Sequence, residues 1–154
     1  MTSRETAELR VIGVEPAPQG SKRHVGNGRL IEASKKVAPF REAIGWAVDK
    51  LYATTGDDRK FTKPVIVTAT FILPRPKTVK RLWPSKMPDL DKLCRSLNDG
   101  LSLEKYGQLI EDDGLIVQMH AEKIYGTEAE MGVIVGIELA DAPWHMMPLD
   151  FTEQ

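Results

Sequence analysis

Two parts of the chain carry apolar residues at three- and four-residue spacing, which is the periodicity of an amphipathic helix. The first helix is predicted over residues 35–54, where the apolar face comprises Val37, Phe40, Ile44, Ala47, Val48 and Leu51. The second is predicted over residues 89–101, where the face comprises Leu90, Leu93, Cys94, Leu97 and Leu101. Both stripes predict helices that pack on a core, with Cys94 as a small core residue.

Strands are predicted where β-branched and apolar residues run between turn-forming residues. The segments are residues 9–14, 30–32, 64–73, 115–125 and 131–139. The run at 64–73 is the most apolar and is expected to be central, and the last two strands are expected to form a hairpin through 126–128. This order predicts one α/β (α+β) domain with a mixed sheet and two main helices. Residues 1–8 are expected to be flexible, 9–140 to form the domain and 141–154 to be an irregular tail.

Composition places the chain among ordinary globular proteins. Its 154 residues suit one domain, and 42% hydrophobic with 28% charged residues is typical of soluble proteins. No apolar run is long enough to cross a bilayer, and no secretory signal precedes the first strand. The single cysteine excludes an intramolecular disulfide framework and a cysteine-rich zinc site. We therefore expect a cytoplasmic protein with no membrane partner.

The formal net charge of -1 hides two locally basic segments. One spans residues 22–41 and the other spans 75–86. Solvated loops are the ordinary interpretation of such segments, and phosphate contact is the functional one. Trp83 lies in the second segment, where packing against the loop is the more common role for a single tryptophan. The candidate phosphate contacts in these segments are Lys22, Arg23, Arg29, Lys77, Lys80 and Arg81.

Acidic residues gather at the start of the second helix and before the following strand. Asp89 at the N-cap would keep an extended backbone, so that its carboxylate could turn toward Asp91. Capping, the helix dipole and an ion pair from Asp91 to Arg95 explain the same residues without a site. Asp112 and Asp113 favour a metal site over these explanations, because converging carboxylates raise one another's pKa unless a cation neutralises them.

Carboxylates without a Cys or His cluster favour Mg²⁺, with Mn²⁺ able to substitute. An EF-hand is excluded, because Cys94 and Gly100 would occupy its sixth and twelfth loop positions. No phosphate-binding loop of the G-x-x-x-x-G-K-[ST] type is present, so no nucleotide cofactor is expected. A divalent metal beside cations suits phosphodiester hydrolysis, in which Arg95 can stabilise developing negative charge.

Several segments, in this order, resemble the RusA family of Holliday junction resolvases. They are Pro-Gln-Gly-Ser-Lys-Arg at 18–23, Pro-Asp-Leu-Asp-Lys-Leu at 88–93, Asp-Gly-Leu at 99–101, Glu-Asp-Asp at 111–113 leading into Val117, and Lys123. The likeness covers roughly residues 9–139. It implies a Mg²⁺-dependent endonuclease that acts as a homodimer on four-way or branched DNA. Two identical sites in a two-fold dimer suit the paired nicks that resolve a near-symmetric junction.

The resemblance also implies roles for particular residues. The family's metal-binding aspartates fall on Asp89, Asp91 and Asp113, and Asp112 is the neighbour that could substitute or assist. Asp99 matches an acidic family position without a defined role. Many family members are encoded by phages, which suggests a phage or prophage origin and the cytoplasm of its host.

One position departs from the family pattern. Arg95 stands where the family has a functional lysine, and a guanidinium keeps the charge but does not readily donate a proton. Lys92 is the nearby alternative, although it points in a poorer direction on the helix. Lys92 and Lys123 complete the predicted DNA contacts.

Two other hypotheses fit the sequence. The chain could be a non-catalytic DNA-binding protein that retains the fold, or an oligomeric scaffold stabilised by ions or ion pairs. Metal-dependent cleavage of a synthetic junction distinguishes a nuclease from a non-catalytic DNA-binding protein. Preferential binding of branched DNA distinguishes both of these from a scaffold. His24, His120 and His145 have no partners at ligand spacing and are assigned no role.

Overall fold

A computed structural model describes residues 2–19, 22–24, 30–32 and 35–141 of the chain. For the two three-residue segments it describes the backbone only. Residues 25–29 and the predicted irregular tail beyond residue 141 lie outside the described residues.

The centre of the fold is a four-stranded mixed sheet in the order β1-β6-β4-β5. Its strands are β1 (Thr6–Ile12), β4 (Val65–Pro74), β5 (Ile116–Gly126) and β6 (Gly132–Leu139). β4 is parallel to β5, and β6 is antiparallel to both β4 and β1. A separate antiparallel pair joins β2 (Lys22–His24) to β3 (Leu30–Glu32). The prediction of a mixed sheet with a central strand near 64–73 is confirmed.

Two helices cover one face of this sheet, as the periodicity predicts. α1 spans Val37–Thr55, and it ends at Gly56 in the left-handed conformation, whose N–H donates to the Tyr52 carbonyl at 3.1 Å. α2 spans Leu90–Ser102. Between α2 and β5 lie two 3₁₀ turns, Glu104–Tyr106 and Asp113–Leu115. No helix among the described residues is long and apolar enough to cross a membrane.

The core lies between the helices and alternate residues of the central strands. From the sheet it takes Val65, Val67, Ala69 and Phe71 of β4 and Val133, Val135 and Ile137 of β6. From the helices it takes Phe40, Ile44, Val48, Leu93, Leu97 and Leu101. Cys94 is half-buried against this core, which agrees with a packing role. Burial raises the pKa of the Cys94 thiol, and the charge of Asp91 makes a smaller contribution in the same direction.

The expected hairpin between the last two strands is wrong. β6 pairs with β1 and β4 and not with β5. β5 and β6 lie two strand positions apart, about 10 Å, and residues 127–131 cross the end of β4 to span that distance. Gly132 then pairs opposite Ile72 near the carboxyl end of β4. The short connection between β5 and β6 therefore does not make these two strands neighbours in the sheet.

The amino-terminal residues also differ from the expectation of a flexible segment. β1 begins at Thr6, and Arg4 is only 5% exposed. Its guanidinium donates to the carbonyl of Asp57 at 2.8 Å and to that of Thr6 at 3.2 Å. Its backbone N–H donates to the Lys60 carbonyl at 2.9 Å. These contacts join the start of the chain to the connection between α1 and β4.

Gly132 is the position in β6 where a side chain is least tolerable. Its φ is 147°, and a Cβ atom there would lie 1.8 Å from the carbonyl oxygen of Val11. We expect Gly132→Ala to lower the free energy of unfolding by roughly 2–4 kcal/mol, because the β1–β6 ladder must shift or strain. Urea unfolding followed by circular dichroism measures this. Gly136→Ala is the matched control, since its Cβ would meet nothing within 4 Å; equal midpoints for the two variants would contradict the prediction.

Candidate active site

Asp89 stands at the N-cap of α2 with its carboxylate uncommitted to capping. Its backbone is extended, with φ -70° and ψ 138°, and its side chain makes no capping hydrogen bond. Its carbonyl accepts the Leu93 N–H at 3.1 Å, which begins the helix. The carboxylate is 54% exposed and lies 3.6 Å from the ammonium of Lys92. Capping therefore does not explain the aspartate, whereas an ion pair with Lys92 does occupy it in part.

Asp91, Arg95 and Asp99 follow at four-residue spacing on the side of α2 away from the buried leucines. Asp91 and Arg95 are exposed, and no ion pair joins them in the part of the chain described. Asp99 is different, because its carboxylate lies 3.1 Å from the guanidinium of Arg41 on α1. Both side chains of that pair are largely buried, at 13% and 22% exposed. The helix thus presents Asp91 and Arg95 to solvent and holds Asp99 in a contact with α1.

Asp112 and Asp113 divide their roles at the 3₁₀ turn before β5. The Asp112 carboxylate accepts the Gly114 N–H at 3.0 Å and caps the turn. That backbone hydrogen bond, followed by a hydrogen bond with Asp113, lowers the pKa of Asp112. The hydrogen bond to Asp112 raises the pKa of Asp113, and desolvation and the charges of Asp112 and Asp99 add to the effect. Both carboxylates are exposed, and Asp113 is the one that does not cap the turn.

The turn at Asp113–Leu115 contacts α2, and Asp99 acts on Asp113 across that contact. Carboxylate oxygens are the hard donors that Mg²⁺ takes, so the chemistry of Asp89, Asp91 and Asp113 fits that ion. Their arrangement is not a finished coordination sphere. Among the described residues, no three Asp, Glu, His or Cys side chains are close enough together to hold a metal ion.

Lys123 of β5 contacts the segment that leads into α2. Its ammonium donates to the carbonyl of Lys86 at 2.9 Å and to that of Pro88 at 2.8 Å. From the other side, the Gln19 N–H donates to the carbonyl of Lys92 at 3.0 Å. The start of α2 is therefore held by two separate parts of the chain.

The basic loop between β4 and α2, residues 75–87, has two arginines beside an aromatic ring and several exposed lysines. The guanidinium groups of Arg75 and Arg81 lie 5.5 and 5.8 Å from the ring centroid of Tyr125. Arg75 also donates to the Arg81 carbonyl. Lys77 and Lys80 are exposed. Of the predicted phosphate contacts in this loop, the two lysines face solvent and Arg81 is packed on an aromatic ring.

The apolar residues of the same loop face outward. Trp83 is 60% exposed, so the expectation that it packs the loop down is wrong. Leu82 and Met87 are 83% and 84% exposed. The loop that precedes Asp89 therefore shows solvent a mixture of lysine and large apolar side chains.

The remaining predicted contacts are only partly visible. Lys22 and Arg23 lie on β2, but their side chains, and all of Arg29, are outside the described residues. His120 lies exposed on β5. The side chain of His24 and the whole of His145 are outside the described residues.

Sequence reasoning missed the residues that support the site from other elements. Arg41 was counted only as part of a basic segment, although it pairs with Asp99. Gln19 and Tyr125 carried no charge or motif that marked their contacts with α2 and the basic loop. The one available signal was a cation beside the apolar stripe of α1, because Arg41 follows the buried Phe40.

Comparison with known proteins bears on this arrangement. No curated protein matches the chain significantly. The family described as "Endodeoxyribonuclease RusA" matches residues 13–138, a span that includes both helices, the acidic turn and the basic loop. Because this match covers most of the chain, the protein belongs to the RusA family of endodeoxyribonucleases, which hydrolyse phosphodiester bonds in DNA.

Proposed function

We propose that this chain resolves four-way or branched DNA by Mg²⁺-dependent hydrolysis, with Asp89, Asp91 and Asp113 as the central carboxylates. The observation that carries the proposal is the exposure of these aspartates within the segments matched by the family. Family membership itself implies Holliday junction resolution. Nucleases of this family are generally metal-dependent.

Asp89, Asp91 and Asp113 would hold the metal, and Asp112 would assist by capping the turn that carries Asp113. When bound, a divalent metal polarises a phosphoryl oxygen and lowers the pKa of a water that can attack phosphorus. The protein's own contribution is to present these carboxylates from the start of α2 and from the neighbouring turn. Closure of the carboxylates around the ion is part of the proposal, because they form no three-residue cluster in the described structure.

Arg95 would stabilise the negative charge that develops on the phosphate during cleavage. It is exposed on the same side of α2 as Asp91 and forms no ion pair with it in the described structure. A guanidinium presents several fixed N–H donors to phosphate oxygens and stays protonated at all working pH values. This role needs charge and donors, and it does not need a proton to be transferred.

Exposed cations around this site would follow the DNA backbone. Lys77 and Lys80 are the best supported, because both face solvent in the loop that leads to Asp89. Lys22, Arg23, Arg29, Arg81 and Lys92 stay in the proposal from the sequence. A cytoplasmic location and a phage origin likewise stay predictions.

A homodimer belongs to the same proposal. The helices cover one face of the sheet, and no described element covers the other. That second face carries half-buried Ile66, Ile72 and Ile134 among threonines. A two-fold dimer would cover apolar surface of this kind and supply the two sites that paired nicks require.

Asp91→Asn is the first test of the nuclease. We expect it to slow cleavage of a synthetic four-way junction at least about 100-fold in Mg²⁺, because a lost ligand costs no less than a lost supporting contact. A gel shift without metal should show junction binding within threefold of wild type, about 0.6 kcal/mol. Asp58→Asn, at an exposed aspartate after α1, controls for the loss of one charge. If wild type and Asp91→Asn both bind and neither cuts, the non-catalytic hypothesis replaces the nuclease.

Lys77→Ala with Lys80→Ala tests the basic loop. We expect the slope of log K against log salt to fall by about 1–2, because each phosphate contact contributes about 0.9. Fluorescence anisotropy with a labelled junction between low and moderate salt measures the slope. Lys63→Ala, at an exposed lysine before β4, should leave it unchanged. An unchanged slope in the double variant would remove the loop from the DNA path.

Arg95 is tested by two substitutions. Arg95→Lys should retain cleavage within about tenfold of wild type, whereas Arg95→Met should lose roughly 100-fold, because only the first keeps the positive charge. Single-turnover cleavage at saturating enzyme measures both. A rate more than tenfold above wild type in Arg95→Lys would show instead that the position works by proton transfer.

A further inference from the structure

Lys123 is a cation whose ammonium donates hydrogen bonds to main-chain carbonyls of the same chain. Its ammonium lies 2.9 Å from the Lys86 carbonyl oxygen and 2.8 Å from the Pro88 carbonyl oxygen. An ammonium has three N–H donors, so these contacts use most of its hydrogen-bonding capacity. The side chain is also partly buried. Such a lysine has little left to offer a DNA phosphate.

The sheet explains why Lys123 reaches this segment. Side chains alternate along a strand, so Lys123 shares a face of β5 with Met119 and Ala121, which pack against the core. It pairs opposite Phe71 of β4, which is fully buried. The helix layer covers this face. The stem of Lys123 therefore runs toward α2, and its ammonium meets the backbone that enters the helix.

The two carbonyls belong to Lys86 and Pro88, which lie just before the candidate metal site in the chain. Pro88 is bonded directly to Asp89, whose carbonyl accepts the first hydrogen bond of α2. Fixing the Pro88 carbonyl restrains the Pro88–Asp89 peptide plane, which includes the Cα atom from which the Asp89 side chain departs. A charge-assisted hydrogen bond is stronger than a neutral one, so an ammonium suits this task.

We propose that Lys123 is a positioning residue, which clamps residues 86–88 so that Asp89 and Asp91 are presented in a fixed direction, and that it does not contact DNA. The functional part of this inference rests on the proposed nuclease activity. The clamp itself is a structural statement and can be tested without any DNA.

Lys123→Met removes the donors and keeps a side chain of similar length. We expect trypsin to cut the Lys86–Met87 bond about tenfold faster in this variant, because the segment opens more often. Cutting at Lys77, in the same loop, should not change. Single-turnover cleavage of a junction should fall about 10- to 100-fold, as for other residues that support ligands. Junction affinity and its salt slope should stay at wild-type values.

Lys123→Arg and Lys63→Met complete the experiment. Lys123→Arg keeps charge and several donors, so protection of the Lys86–Met87 bond and cleavage of DNA should both recover to within about threefold of wild type. Lys63→Met should match wild type in every measurement. Circular dichroism checks that each variant folds. If Lys123→Met does not fold, Lys123→Gln, which is uncharged and one atom shorter than lysine, takes its place with the same predictions.

The opposite pattern would overturn the proposal. A Lys123→Met variant with unchanged trypsin protection and a salt slope lower by about 1 would make Lys123 a phosphate contact. Unchanged protection and unchanged cleavage would show that the clamp has no role. If wild-type protein cuts no branched DNA, the proposed function fails, while the trypsin measurement still decides whether Lys123 holds the segment.

Discussion

The packing of α2 on the sheet is the constraint on which the candidate site depends. Leu93, Leu97 and Leu101 recur every four residues and are completely buried. Their burial stabilises the fold by roughly 1.5–3 kcal/mol each. With this face committed to the core, the rotation of the helix is set, and Asp91 and Arg95 must face solvent. The same apolar contact that holds the helix therefore chooses which charges are presented.

The carboxylates of the candidate site have different partners and divide their roles accordingly. Asp99 is held by Arg41, Asp112 by the Gly114 N–H, and Asp89 lies near Lys92. Each contact lowers the cost of negative charge without a metal. Asp91 and Asp113 are exposed without such a contact to a cation in the described structure. Among these carboxylates, Asp91 and Asp113 are therefore the ones that remain available to a cation.

Local patterns predicted the helices and strands well, and nonlocal pairing explains where the prediction failed. The three- and four-residue spacing of apolar residues predicted the ends of α1 and α2 to within two residues, because burial of one helix face follows directly from sequence. The β5–β6 hairpin was wrong, since strand adjacency depends on where β1 and β4 lie, and no local pattern encodes that. The acidic cluster was visible as a motif. Arg41 and Gln19 were not, because their partners are distant in sequence.

The contacts of each cation separate charges that pack within the protein from charges that face solvent. Arg81 packs on Tyr125 and Lys123 donates to backbone carbonyls, whereas Lys77 and Lys80 face solvent. With a net charge of -1, the chain cannot rely on a strong general attraction to DNA. Contact through Lys77 and Lys80 beside exposed Trp83 and Leu82 would depend on the shape of the DNA that the loop meets.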